Sequence, residues 1–432
     1  MTDIDTDLII DDAITTADRQ THPTLPRLVL ERHATLDDLR VLLESQQAVK
    51  VDTVVSAGRL RYEDGTLIIA DGIPAAEAQI TNDGVTPARE AQDLALSPTA
   101  LFEDQLAGAL EIPRRYVRKM RTAANNEADD ELGISVALLD RNVNHWLLDN
   151  PNRLFTVRAF YNDQTGDGIA RSVMSGRYAL LDHMDQLMAV LSGLRQVSET
   201  NPDVSPETLK WKVDLTERNM RVRVIAPQIN MLAPEILGDY RDPWGGRYSG
   251  STGDTPPVLE AGLDFRNSEN GAGAWMIVPF VHVLVCTNGM TMTKHAMRKT
   301  HIGGEQAEGR IQFSVETHRK RLDVVTAETA DAVSQYLSTA WLAAAVDELR
   351  EAAGVKVDDA KGTIEHVAKV HKFSDAERDS IFELFLRGGQ ETAAGVAQAI
   401  TAHAHIAAPT RAMELDDVAV AAMQTAAKFA VA

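Results

Sequence analysis

The order of apolar and polar positions along the chain separates segments of helical period from segments that alternate. Thr35 followed by Asp37 and Asp38 reads as an N-cap with an acidic first turn, and Leu39, Val41, Leu42 and Leu43 supply the apolar side of a helix to about Gln47. Val51–Val55 reads as a strand, and Leu60–Tyr62 and Thr66–Ala70 flank Glu63, Asp64 and Gly65 as a hairpin. Ala100–Arg121 contains two helical pieces hinged at Pro113. From about Gly133 the pattern predicts strands joined by tight turns. Leu154–Tyr161 pairs with Ile169–Met174, Lys210–Leu215 with Met220–Ile225, and Leu259–Arg266 with Ala274–Cys286 through Asn270-Gly271. One helix, Asp182–Leu194, interrupts them and offers Leu187, Met188, Leu191 and Leu194 to the sheet.

Beyond Arg321 the chain is Ala-rich and helical. Val333, Leu337, Trp341 and Ala345 recur every fourth position up to a stop at Gly354, and Ser374 with Glu377 forms a capping box before Ile381, Leu384 and Phe385. Two further helices are expected around Val396–Ile406 and Leu415–Phe429. The fold class is therefore α+β: an antiparallel β-hairpin sheet core with packed helices, followed by an all-α C-terminal region. Four regions are expected: a disordered acidic tail over 1–28, an N-terminal α/β region over 29–132, a β-rich core over 133–322 and a helical region over 323–432. At 432 residues the chain exceeds the roughly 250–300 at which one core stops growing.

Composition narrows the class. Apolar residues make up 44% and charged residues 25%, values of a globular chain. The longest apolar run, Ala274–Cys286, is broken by Pro279 and His282 and falls short of the ~20 residues of a membrane span. The acidic start MTDIDTDLIIDDA does not have the form of a secretory signal, and the single cysteine, Cys286, permits no intrachain disulfide. A cytoplasmic location is expected, in the host cytoplasm if a phage encodes the chain. The net charge of −20 argues against nucleic acid until its distribution is read. Residues 114–321 hold 26 basic and 25 acidic side chains, leaving 17 and 38 on the flanks, so the middle is free to present a local basic face.

Two stretches carry a resemblance. The first runs from ALLDRNVNHWLL through VRAFY to RSVMSGRYALLDHMDQL; the second is GLDFRNSENGAGAWMIVPFVHVLVCTNGM, followed by His301, Ile302 and Gly303. In order and spacing they resemble the phage and plasmid-like family called domain of unknown function 932, over about residues 95–310 and more loosely around Gly395–His403. That resemblance implies a mobile-element protein of replication, recombination or counter-defence, and it brings no catalytic residues.

The chemistry-bearing candidates are mostly cations. If Leu215 pairs with Met220, then Lys212 opposes Arg223 and Asp214 opposes Arg221, while Trp211, Val213, Val222 and Val224 point to the other face. Like charges across a ladder need an anion to share, either a phosphate or a carboxylate of the chain itself. Lys210 extends this row. Arg241, Trp244, Arg247 and Tyr248 interleave cations and aromatics in a glycine-rich loop, a combination that suits single strands. Arg298 and Lys299, with Arg319, Lys320 and Arg321, add basic positions, and so do Arg114, Arg115, Arg118, Lys119 and Arg121, which on a helix read first as a solvated run. His282 and Cys286 lie roughly 13 Å apart on an extended strand, too far for a thiolate–base pair. His295, His301, Asp264 and His318 lack the spacing of a helical metal site. The expectation is a non-enzymatic protein without cofactor or metal that binds or anneals single-stranded DNA as a homo-oligomer. A module that binds a host protein through the acidic ends is the alternative, and a metal-dependent hydrolase the third.

Overall fold

The computed structural model describes residues 22–30, 34–75, 79–81, 84–86, 90–124, 134–176, 181–233, 236, 258–283, 289–291, 296–299, 309–310 and 315–431. Helix α1, Leu36–Val49, opens on the Thr35 cap: its hydroxyl accepts from the Asp38 amide while the Asp38 carboxylate accepts from Thr35, a reciprocal box. Leu25 and Leu28 are buried against Phe160, and the Leu30 amide donates to the Leu215 carbonyl at 3.0 Å. The tail expected over 1–28 is therefore corrected: residues 22–28 are anchored, because two leucines find an apolar partner. Residues 1–21 lie outside the described residues.

Two main sheets follow. Strands β1 (Lys50–Ser56), β2 (Leu60–Glu63), β3 (Thr66–Ile73), β6 (Gln92–Pro98), β7 (Leu154–Tyr161), β8 (Gly168–Ser175) and β15 (Gly309–Arg310) form a seven-stranded sheet in the order β15-β1-β7-β8-β6-β3-β2. Among the described residues, strands β4 (Gln79–Thr81) and β5 (Gly84–Thr86) pair only with each other. The second sheet orders β13 (Gly289–Thr291), β12 (Trp275–Val283), β11 (Val258–Asn267), β10 (Met220–Leu232) and β9 (Lys210–Leu215), with β14 (Met297–Lys299) also on β12. The strand pairs of the main sheets are antiparallel except β6 with β8. The boundary expected at 132 thus cuts through one sheet, because β1 takes β7 as its neighbour across a hundred residues of chain. The three expected hairpins divide between the two sheets.

Helices α2 (Ala100–Ala109), α3 (Arg114–Ala124) and α4 (Ile134–Asp149) share an apolar core with the seven-stranded sheet. Helix α4 corrects the expectation of strands from Gly133; Leu139, Val143 and Leu147, all buried, recur at helical spacing. A second core joins the other sheet to α1, α5 (His183–Ser198) and the helical region α6 (Val315–Tyr336), α7 (Thr339–Ala353), α8 (Ala360–His371), α9 (Asp375–Gly388), α10 (Ala393–Ala404) and α11 (Pro409–Ala430). The β-rich and helical regions are therefore one packed body. The fourfold run from Val333 to Ala345 spans a break, since Ser338 leaves the helix and caps α7 by accepting from the Trp341 amide. Helix α8, absent from the expectations, is capped by Asp359 and stopped by Lys372 at φ 57.

Candidate functional site

The second hairpin forms in the expected register: Leu215 opposite Met220, Lys212 opposite Arg223 and Asp214 opposite Arg221. Val213, Val222 and Val224 turn into the core, so the cations share the other face. That face is covered. Asp416 and Asp417, near the start of α11, meet it: Asp416 Oδ2 accepts from Arg221 at 3.1 Å and from Arg223 at 3.4 Å, and Asp417 takes Arg266 in a bidentate pair at 2.6 and 2.7 Å. Asp264 on β11 bridges Arg221 at 2.7 Å and Arg266 at 2.6 Å. Asp214 adds a bond to Arg223 at 3.3 Å. Four cations, counting Lys212, therefore face four carboxylates. Burial acts to raise the Asp264 carboxyl, and the guanidiniums of Arg221 and Arg266 reverse that and hold it below its ordinary value. Burial, with Arg223 alongside, lowers the Lys212 ammonium to about 7.

A carboxylate of the chain, not a phosphate, thus answers the opposed cations. Arg221 is buried and committed to two carboxylates, Arg223 is half-buried and bonded to Asp214 and Asp416, and Lys212 is half-buried beside them, so these three do not form the open row of cations that was expected. Lys210 remains exposed at the other end of β9, bonded to Glu260 at 3.0 Å. His282 is buried and paired with Glu260 at 2.9 Å, and Asp264, a candidate metal ligand by sequence, is occupied by arginines. Arg298 and Lys299 lie on β14 at the register positions of Met276 and Trp275. Arg241, Trp244, Arg247, Tyr248, Cys286, His295 and His301 lie outside the described residues. Among the described residues no group of three or more His, Cys, Asp or Glu is gathered for a metal, and no helix is long and apolar enough to cross a membrane.

A second ionic cluster joins the two sheets. Arg158 on β7 donates to Asp52 on β1 at 2.8 and 2.9 Å and to Asp182 at 2.7 Å. Asp182, just before α5, also meets Lys50. Arg158 pairs with Ser172 and the next residue, Ala159, with Ala170, leaving Arg171 as the extra residue of a β-bulge. From there Arg171 donates to Glu269 Oε1 at 2.7 Å with its guanidinium over the Phe160 ring. Glu269, in the β11–β12 turn, also accepts from the His183 amide at 3.1 Å, at the positive end of α5. Burial works against the Glu269 carboxylate; His183, Arg171 and Arg158 outweigh it and hold it well below its ordinary range. Burial also lowers the His183 imidazole to about 4, so it is neutral at pH 7. Three cations, Lys50, Arg158 and Arg171, balance three carboxylates, Asp52, Asp182 and Glu269. The junction holds the sheets together and, among the described residues, carries no surplus charge for an ionic ligand.

The open surface lies elsewhere, on α3 and α4. Arg118 and Arg121 turn inward to Asp104 at 2.8 Å and Glu103 at 2.6 Å, leaving Arg114, Arg115 and Lys119 exposed. Asn144 pins α4 to β2, accepting from the Tyr62 amide at 2.7 Å and donating to its carbonyl at 2.9 Å, while Asn142 reaches the Tyr116 hydroxyl at 3.2 Å. The outward positions of α4 then hold Ile134, Leu138, Arg141, His145, Trp146 and Leu148. Trp146 is 43% exposed and stands edge-on to His145 at 5.5 Å. The signal for this helix, Leu139, Val143 and Leu147 at every fourth position, is present in the sequence. Its outer residues become legible only once the inner side is known. No family model, curated protein or solved structure matches the chain.

Proposed function

We propose that the chain is a member of domain of unknown function 932 and a non-enzymatic binder of single-stranded nucleic acid, acting in the cytoplasm as a homo-oligomer, with the strand lying across α3 and α4. The observation that carries this reading is Trp146, exposed beside His145 on α4, a helix that also exposes Arg141, with the outward cations Arg114, Arg115 and Lys119 on the neighbouring helix. Single strands are held by aromatic faces that stack bases and cations that follow the backbone. Residues 125–133 between the helices carry four carboxylates, so the attraction is local and the number of neutralised phosphates small.

The test is fluorescence anisotropy with a labelled oligothymidylate at two salt concentrations. Trp146→Ala is expected to weaken binding by roughly 1–3 kcal/mol without changing the salt slope. Arg115→Gln with Lys119→Gln is expected to flatten the slope by about 0.7 for each phosphate that is no longer neutralised. Lys212→Met is expected to leave binding unchanged. If the wild type fails to bind at low salt, this reading is abandoned. A second reading, a surface for a protein partner, is favoured by Ile134, Leu138 and Leu148, whose exposed apolar side chains a nucleic acid does not need.

A further inference from the structure

We infer that the α3–α4 face is the docking site of the chain's own residues 1–21. The inference rests on the reading of that face as a binding surface and names its occupant. The face has two chemical halves. One is cationic, with Arg114, Arg115 and Lys119 on α3; the other is the α4 stripe, apolar at Ile134 54%, Leu138 40% and Leu148 66% exposed, with Arg141 set within it. A polyanion alone leaves the apolar half wet. Residues 1–21 match both halves: Asp3, Asp5, Asp7, Asp11, Asp12 and Asp18 stand against a single cation, Arg19, and Ile4, Leu8, Ile9, Ile10 and Ile14 are interleaved with them. Carboxylates facing the arginines and aliphatic side chains against Leu138 and Leu148 bury apolar area that exposed positions on α4 otherwise leave in water.

The tether favours this occupant. The chain is anchored just after the segment, where His22 lies 3.7 Å from Asp167 and Leu25 packs on Phe160. From that point 21 residues reach up to ~70 Å when extended, enough to cross a domain of this size. A tethered segment meets its site at an effective concentration of about millimolar, so an interaction too weak to hold a free peptide is still occupied. A second copy is the less suited occupant. Antiparallel pairing of two α4 helices about a two-fold axis centred on the stripe sets Arg141, midway between Ile134 and Leu148, against its own symmetry mate, and like charges there oppose closure.

The experiment uses a labelled synthetic peptide of residues 1–21, the full chain, the chain lacking residues 1–21, and that shortened chain with Leu138→Asp, an exposed position that does not enter the core. The peptide is expected to bind the shortened chain with salt-sensitive affinity, to bind the full chain at least about tenfold more weakly because the tethered copy competes, and to lose binding to Leu138→Asp. No binding to the shortened chain at low salt, equal binding to the full chain, or indifference to Leu138→Asp overturns the inference. A concentration-dependent dimer that Leu138→Asp dissolves, with no peptide binding, identifies a second copy as the occupant and also overturns it. Because the readout contains no nucleic acid, peptide binding without oligonucleotide binding removes the proposed function and leaves this inference standing.

Discussion

Arg221 and Asp416 stand 195 positions apart, yet the buried guanidinium donates to Asp416 Oδ2 at 3.1 Å. Arg223, itself directly across the ladder from Lys212, leans on the same oxygen at 3.4 Å. One carboxylate from the end of the chain thereby answers a clash of like charges created in its middle. The pairs are buried, and breaking one side of such a network leaves an uncompensated charge in a poor solvent.

Asp416→Ala is accordingly expected to cost about 3–5 kcal/mol in urea unfolding, because Arg221 and Arg223 lose a shared acceptor. Adding Arg221→Met and Arg223→Met to that variant should recover a large part of the loss, since an apolar replacement no longer needs the carboxylate. A loss below about 1 kcal/mol for Asp416→Ala refutes the structural role of this carboxylate.

His183 sets a pH dependence. Its imidazole titrates near 4 in the fold and 6.5 as a free side chain, so between those values the unfolded chain binds the additional proton. Stability contributed by this depressed value is present above pH 6.5 and is lost as pH falls toward 4, by at most about 3 kcal/mol. Unfolding free energies measured across that window should flatten in His183→Gln; an unchanged slope shows that other groups set it.

Lys212 acts in a different window. Its ammonium falls to about 7 in the fold against 10.5 when free, so stability from this group is present above pH 10.5 and declines as pH falls toward 7. Lys212→Met should remove that slope and be neutral or stabilising near pH 7, as it relieves the charge opposed to Arg223. Destabilisation at pH 7 indicates that attraction to Asp416 and Asp214 outweighs desolvation.

Gly262 lies under the Phe280 ring: a Cβ there comes within 2.4 Å of Phe280 Cζ. Gly262→Ala is expected to cost about 1–3 kcal/mol through overpacking. Thermal unfolding of Gly262→Ala combined with Phe280→Leu tests the cause, because the shorter side chain should restore part of the loss and non-additivity measures the clash.

Leu25 and Leu28 predict where the chain becomes dispensable to the core. Truncation through residue 28 removes both and should lower stability by about 2–5 kcal/mol for each buried leucine, whereas truncation through residue 21 removes neither. Equal melting temperatures for the two truncations contradict the packing on Phe160.

The local elements can be read from the chain because their causes are local. Thr35 with Asp38 and Ser374 with Glu377 form their boxes within one turn, and the turns after Leu215 and at Gly271, φ 73, set hairpin registers through neighbours in sequence. Period alone misleads in two places. Fourfold spacing continues across Ser338 although the helix breaks there, and the apolar residues of α4 are masked by the strand signals that follow them. The α+β class, the helical C-terminal region and the opposition of Lys212 and Arg223 were thus determined by sequence. Only the tertiary structure decided what those cations meet. The Coulomb partner of a side chain is chosen by distance in space, and nothing near Arg221 in sequence announces Asp416, just as nothing near Arg171 announces Glu269 or the bulge that turns Arg171 toward it. The same holds for Trp146, left on the outside because Asn144 and Leu147 fix which side of α4 faces in.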